Sequence, residues 1–376
     1  MHQISRRQFT KILGSGAAYA ALNPSFVANT STRRHNDVAK ASSVVRLSSN
    51  ENPTGPSARA LKAMTDAYSL AWRYPDEYAD ILAEKLAKLH GVSTDQILLG
   101  NGSGEILKLA AVAFTDSQRK AVVADPTFEA LARHATTAKA QVARVSLTSH
   151  YRHNLSEMLT ASDQAGLVYI CNPNNPTASL TPKNEIRTFL SKLPRQTKVL
   201  VDEAYHHYVD SNDYESVIPL VKHHPNLIVA RTFSKVYGMA GLRCGYCVTQ
   251  AENIQAMRVH QLWDNVNIMA LVAATASLDD AKHVEQGRSS NTATKQYIYA
   301  ELDRLRYRYI PSHANFLMID LGRDVRPVID SLSKRNVYVG RFFPSLPNFM
   351  RVTIGTRPQM ERFLSEFRDV MAANRT

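Results

Sequence analysis

Cysteine and tryptophan are scarce in this chain, with three of the first and two of the second among 376 residues. Three cysteines cannot form a disulfide framework in so long a chain, and Cys171, Cys244 and Cys247 lack the paired spacing of a zinc site. All three therefore read as small buried hydrophobes. Beyond the N-terminus no window approaches twenty strongly apolar residues, so no membrane-spanning helix is expected in the body of the chain. Glycine (15) and proline (16) are at ordinary levels, which excludes collagen-like and low-complexity classes. Neither the dinucleotide pattern G-x-G-x-x-G nor a Walker Gly-Lys-Ser/Thr occurs. The balance of 45 Lys+Arg against 33 Asp+Glu gives a net charge of +12. The basic residues are dispersed and nowhere interleaved with aromatics, so no nucleic-acid partner is expected. Positive charge spread in this way suits small anionic substrates instead.

The length is that of two domains, or of one large α/β domain with an appendage. From Val44 onward, short apolar runs alternate with helix-period segments. Gln118–Ala124, Gln141–Leu147, Leu167–Cys171, Val199–Val201 and Leu227–Ala230 read as buried strands. Phe128–Lys139 and Lys183–Leu193 read as helices between them. This alternation predicts βα units and a mostly parallel sheet covered on both faces. Past Ala281 a long polar helix, strands at Asn315–Asp320 and Met350–Gly355, and a closing helix at Gln359–Ala373 predict a smaller α+β domain.

In such folds ligands gather at the carboxyl ends of the strands, and the unusual residues of this chain accumulate there. Asn172-Pro173-Asn174-Asn175-Pro176-Thr177, Asp202-Glu203-Ala204-Tyr205 and Arg231-Thr232-Phe233-Ser234-Lys235 each follow an apolar run, and Gly100-Asn101-Gly102-Ser103-Gly104 opens a helix. Taken singly, each has an ordinary structural explanation as a turn, a helix cap or a surface pair. Taken together they meet one chemical need. A phosphorylated pyridine aldehyde requires a lysine for a Schiff base and a carboxylate for its ring nitrogen. It also requires donors for its phenolate, and a helix N-terminus with an arginine for its phosphate. Lys235, Asp202, Tyr205 with Asn175, and Ser103-Gly104 with Arg243 are the matching residues.

From Asn50 to Thr356 the chain resembles the fold-type I pyridoxal-phosphate enzymes, and within them the histidinol-phosphate aminotransferase-like class I/II aminotransferases. The matching stretches are Asn50-Glu51-Asn52-Pro53, Arg73-Tyr74-Pro75-Asp76, Gly100 to Ser103, Asn174 to Thr177, Asp202 to Tyr205, Arg231 to Arg243, Asn265-Val266-Asn267, Asn315-Phe316 and Arg351 to Thr356. The resemblance implies pyridoxal 5'-phosphate as cofactor and an α/β fold with a large PLP-binding domain at 76–280. It also implies a small C-terminal domain at 281–376, and an N-terminal arm at 44–75 contributing to the small domain and to a homodimer interface. Lys235, Asp202 and Tyr205 would be catalytic. Ser103, Gly104, Thr232, Ser234 and Arg243 would hold the phosphate, Asn175 and Tyr205 the phenolic oxygen, and Phe128 would stack on the ring. Tyr74 would reach the partner subunit's cofactor. Arg341, Arg351, Asn52 and Thr54 would meet the substrate. Gly104 and Ala178 stand where relatives commonly carry Asp and Gly. The implied activity moves an amino group between an L-amino acid, or histidinol phosphate, and a 2-oxo acid by a ping-pong mechanism. A decarboxylase of a phosphorylated amino acid and a non-catalytic PLP-binding protein are the alternatives.

Ahead of this region, Ser5-Arg6-Arg7-Gln8-Phe9-Thr10-Lys11 precedes a weakly apolar stretch running to Ala28. It resembles a twin-arginine export signal, with Thr10 the one departure. Residues 1–28 are expected to be that signal and 29–43 a disordered tether. The expected partner is the twin-arginine export machinery and the expected location periplasmic, or cytoplasmic if the signal is not used.

Overall fold

The computed structural model describes residues 44–373. The export signal and tether expected at 1–43 lie outside the described residues. A short strand β1 (Val45–Leu47) is followed by helices α1 (Ala58–Ala67) and α2 (Asp76–His90), the latter stopped by Gly91 in the left-handed conformation. Next come β2 (Ile97–Gly100), α3 (Ser103–Phe114), β3 (Lys120–Asp125), α4 (Ala130–Thr137), β4 (Val142–Ser146) and α5 (Leu155–Thr160). The series continues with β5 (Ala165–Cys171), α6 (Lys183–Lys192), β6 (Lys198–Asp202), β7 (Leu227–Thr232), β8 (Gly245–Val248), α7 (Ala251–Arg258) and α8 (Ile268–Ser277).

Seven of these strands form one sheet in the order β2-β8-β7-β6-β5-β3-β4. β8 runs antiparallel to both neighbours and every other pairing is parallel. The apolar runs are continuous rather than alternating because both faces of the sheet are covered. Val122, Ala124, Val168, Ile170, Val199 and Val201 pack on one side with Leu82 and Leu86 of α2, Phe189 of α6 and Leu271 of α8. Ala121, Val123, Tyr169, Cys171 and Leu200 pack on the other with Ile106 and Leu107 of α3 and Leu131 of α4. Cys171, Cys244 and Cys247 are free and buried, as their composition suggested.

The second half begins with the long helix α9 (Ala281–Arg304) and contains a three-stranded antiparallel sheet. Its strands β9 (Arg308–Ile310), β10 (Phe316–Asp320) and β12 (Phe349–Thr353) lie in the order β12-β10-β9. Helix α10 (Arg326–Lys334) leads to β11 (Val337–Val339), and α11 (Arg357–Ala373) closes the described chain. No described helix is long and apolar enough to cross a membrane.

Immediately beyond the end of β6, Glu203 is buried and receives Arg231 through Nε at 3.0 Å and Nη2 at 2.8 Å. Three histidines surround this pair. The rings of His206 and His207 lie 3.6 Å apart by centroid, and His90 Nε2 is 2.9 Å from the Tyr246 hydroxyl. Burial, reinforced by the Arg231 charge, pulls His90 down to about 4 and His207 to about 3, and holds His206 well below the usual value. A base depressed in the folded state contributes stability above its unfolded value of 6.5 and loses that contribution as the pH falls toward its folded value. Acidification from pH 7.5 to 5 is therefore expected to cost about 2 kcal/mol for each of His90 and His207. Urea titration at the two pH values measures this loss, and an unchanged midpoint would contradict the neutral burial of the cluster.

Candidate active site

At the carboxyl edge of the large sheet lies a cavity of about 310 Å³. Three cations, Lys235, Arg243 and Arg351, line it against one carboxylate, Asp202. A cavity so charged is built to receive anions.

One part of its wall is made where β2 turns into α3. The first N–H groups of a helix have no internal partners, and here Ser103 and Gly104 bring them to the cavity. The approach is tight: at Gly102, with φ +73°, a Cβ would lie 2.1 Å from the Arg243 guanidinium. Arg243 itself adopts φ 61°, a conformation costly for any residue with a Cβ. Its Nη1 donates to the Ala240 carbonyl at 3.0 Å and to Ser234 Oγ at 3.3 Å. Thr232 Oγ1 donates to Ser234 Oγ at 2.9 Å. N-terminal amides, two hydroxyls and a guanidinium with no carboxylate among them fit a phosphate group. Gly102→Ala should weaken affinity for the phosphorylated cofactor at least about tenfold, the worth of one charged hydrogen bond. Fluorescence titration of the cofactor-free protein reads the effect, and an unchanged affinity would remove the helix terminus and Arg243 from the phosphate site.

Further in, Asp202 terminates β6 and is 3% exposed. Its Oδ2 accepts the Tyr169 hydroxyl at 3.0 Å and its Oδ1 the Ala204 N–H at 3.1 Å. Burial raises it to about 6 against the pull of these two donors and of Lys235. Lys235 is moved the other way, to about 8, by burial and then by the Arg351 charge. Its Nζ donates to the carbonyls of Asn50 at 3.1 Å and Ser49 at 3.4 Å. The Tyr205 hydroxyl accepts Asn50 Nδ2 at 3.1 Å and Asn175 Nδ2 at 3.5 Å, and burial pushes the phenol up, so it stays protonated. Phe128 stands on the wall with its ring partly exposed.

Arg351 comes from β12, which places it among residues of the large sheet. Nη1 donates to Asn175 Oδ1 at 2.8 Å and Nη2 to the Ser48 carbonyl at 2.7 Å. Its guanidinium carbon lies 5.2 Å from the ring centroid of Phe343 and 5.6 Å from that of Phe316.

Eleven of the fifteen residues singled out from the sequence thus line one cavity: Ser103, Gly104, Phe128, Asn175, Asp202, Tyr205, Thr232, Ser234, Lys235, Arg243 and Arg351. The other four do not line it in this chain. Tyr74 is 79% exposed on the surface. Arg341 pairs with Glu129 at 2.9 Å and lies over Phe343. Asn52 Nδ2 donates to the Val236 carbonyl, while its Oδ1 accepts from Thr54. Asn50 falls in the matched stretch Asn50-Glu51-Asn52-Pro53 without a role of its own, and Tyr169 is not singled out from the sequence. A tyrosine inside an apolar strand leaves no local pattern that sets it apart.

A model of the family described as aminotransferase class I and II matches residues 42–367. The histidinol-phosphate aminotransferase of Moorella thermoacetica is 40% identical over 334 residues, spanning 88% of this chain and 86% of its own length. Histidinol-phosphate aminotransferase 2 of Pseudomonas fluorescens is 39% identical over 332 residues, spanning 88% of this chain and 89% of its own. Among solved structures, the histidinol-phosphate aminotransferase from Sinorhizobium meliloti in complex with pyridoxal-5'-phosphate superposes with a TM-score of 0.83 at 26% identity. That match covers 88% of this chain and 91% of the other. With a cavity whose polar groups suit a phosphate, a protonated ring nitrogen and a phenolate, the chain belongs to the class I and II aminotransferases and is a pyridoxal-phosphate-dependent aminotransferase of the fold-type I class.

Proposed function

We propose that the amino donor is histidinol phosphate, or an amine of the same shape carrying an anionic group, and that a 2-oxo acid accepts the amino group in a second half-reaction. The observation that carries this reading is the second guanidinium in the cavity. Arg243, with its serine and threonine hydroxyls, satisfies the cofactor's phosphate, which leaves Arg351 for an anion on the substrate. The names of the Moorella and Pseudomonas relatives supply the candidate donor.

In this reading Ser103, Gly104, Thr232, Ser234 and Arg243 hold the cofactor's phosphate. Asp202 faces its ring nitrogen, Asn175 and Tyr205 its phenolic oxygen, and Phe128 its ring. Bound pyridoxal 5'-phosphate supplies an aldehyde that takes up the amino group and a ring that accepts the electron pair of the substrate's Cα–H bond. Lys235 Nζ would hold the cofactor's aldehyde carbon covalently and, once the substrate's amine has displaced it, would take and return the proton at Cα. An amine titrating near 8 can accept and return a proton at neutral pH, which an ordinary lysine at 10.5 does poorly. Asp202, titrating near 6, is ionised above neutrality and so keeps the ring nitrogen protonated. Arg351, oriented by Asn175 and Ser48, grips the substrate's anion.

The working unit in this proposal is a homodimer, with Tyr74 completing the partner's site. The exposure of Tyr74 beside Trp72 supports it, since large aromatics left on a surface tend to be covered. We also propose export to the periplasm by the twin-arginine route, on the strength of Ser5-Arg6-Arg7-Gln8-Phe9-Thr10-Lys11. Fractionation of cells carrying Arg6→Lys with Arg7→Lys should find the protein in the cytoplasm, and continued export would remove that part.

The donor assignment is tested by initial rates with histidinol phosphate, histidinol, aspartate and phenylalanine against 2-oxoglutarate. Histidinol phosphate should exceed histidinol by about tenfold to a hundredfold in kcat/KM, the worth of a charged hydrogen bond. Equal rates for the two, or release of carbon dioxide from an amino acid in place of a keto product, would overturn the reading.

A further inference from the structure

The mechanism as proposed uses the face of Asp202 that looks into the cavity, and the structure shows what stands behind it. Tyr169 lies on β5 two residues before Cys171, which pairs in register with Asp202 across the parallel ladder. Side chains two apart along a strand share a face, so Tyr169, Cys171 and Asp202 point the same way. The Tyr169 ring is fully buried, packed in the apolar layer beneath α3. A phenol so placed needs a partner for its hydroxyl, and the partner is Asp202 Oδ2 at 3.0 Å. With the Ala204 N–H on Oδ1, each carboxylate oxygen has one internal donor, and the plane of the group is fixed before any ligand arrives.

We propose that Tyr169 is the positioning residue of the active-site carboxylate: its buried hydroxyl orients Asp202 toward the cavity and keeps it charged in a setting that would otherwise neutralise it. The inference rests on reading Asp202 as the partner of the cofactor's ring nitrogen.

The groups facing Asp202 leave this task to Tyr169. Cys171 and Tyr205 are both held protonated by burial and bring no positive charge. Glu203 repels a charged Asp202, an effect blunted by its own pairing with Arg231. Lys235 attracts it, yet Lys235 gives up its amine to the cofactor in the working enzyme. Tyr169 is pushed far above the ordinary phenol range by burial and by the Asp202 charge, so it remains a donor at every working pH.

Tyr169→Phe removes the hydroxyl and little else. Carboxyl-carbon NMR of aspartate-labelled, cofactor-free protein should show the Asp202 midpoint, identified by its loss in Asp202→Asn, moving up by about one to two pH units. In the holoenzyme the acid limb of kcat should move up by a similar amount. At pH 7 kcat should fall about tenfold, with KM changing less than about twofold. Incorporating 3-fluorotyrosine at position 169 makes a stronger donor and should move the midpoint the opposite way, which keeps the test open if Tyr169→Phe folds poorly. A midpoint and acid limb unmoved by either change, with Asp202→Asn inactive, would overturn the role of Tyr169. Full transamination by Asp202→Asn would instead overturn the reading of Asp202 itself.

Discussion

Lys235→Ala should lower transamination by at least about a thousandfold while leaving the fold intact. The loss combines two contributions. In the proposed mechanism the amine would be both the covalent anchor of the cofactor and the base at the reacting carbon. No other amine in the cavity lining can replace it, because the remaining cations there are the two arginines, whose guanidinium groups are not amines. Stability should hold because the fold works against this amine. Burial and the Arg351 charge bring Lys235 down to about 8, so its charged form is disfavoured in the native state. The bonds lost are those from Nζ to the Ser49 and Asn50 carbonyls, at the cavity wall. Circular dichroism melting beside a single-turnover assay separates the two effects. Substantial turnover by a folded Lys235→Ala protein would remove the covalent mechanism.

Arg351→Lys should reduce kcat/KM for an anionic donor by about a hundredfold or more, and for a donor without an anion much less. An ammonium on a single stem cannot reproduce the planar fork that reaches Asn175 Oδ1 at 2.8 Å and the Ser48 carbonyl at 2.7 Å together. The Asn175 bond also sets the amide's direction, because the oxygen taken by Arg351 leaves the nitrogen for Tyr205. The variant therefore loosens the donors around the phenolic oxygen as well as the anion grip. Comparing histidinol phosphate with histidinol isolates the second effect. Equal losses for the two donors would show that Arg351 acts on the scaffold and not on the substrate.

The parallel strands are legible in the sequence because burial on both faces turns them into unbroken apolar runs, such as Ala121-Val122-Val123-Ala124. Helix α8, Ile268–Ser277, is not: it is apolar on nearly every side, packed against α1 and α2, and shows no amphipathic period. The antiparallel β8 is only four residues long and carries no turn signal of its own. In the site, Asp202, Asn175 and Lys235 were legible because strand ends concentrate polar residues next to apolar ones. What the sequence cannot display is contact over long separation. Asn50 meets Tyr205 across 155 residues, and Tyr169 meets Asp202 across 33. Arg341 differs again, since its pairing with Glu129 is a meeting of two distant surface charges that neither local sequence foretells.

The absorbance spectrum of the purified protein, taken before and after adding an amino donor, tests the central claim most directly. The account predicts a visible band from lysine-bound cofactor that is absent in Lys235→Ala. Histidinol phosphate should move that band to the near ultraviolet, and a 2-oxo acid should restore it. A cofactor band that no donor displaces would contradict transamination, and a protein with no cofactor band at all would contradict the site itself.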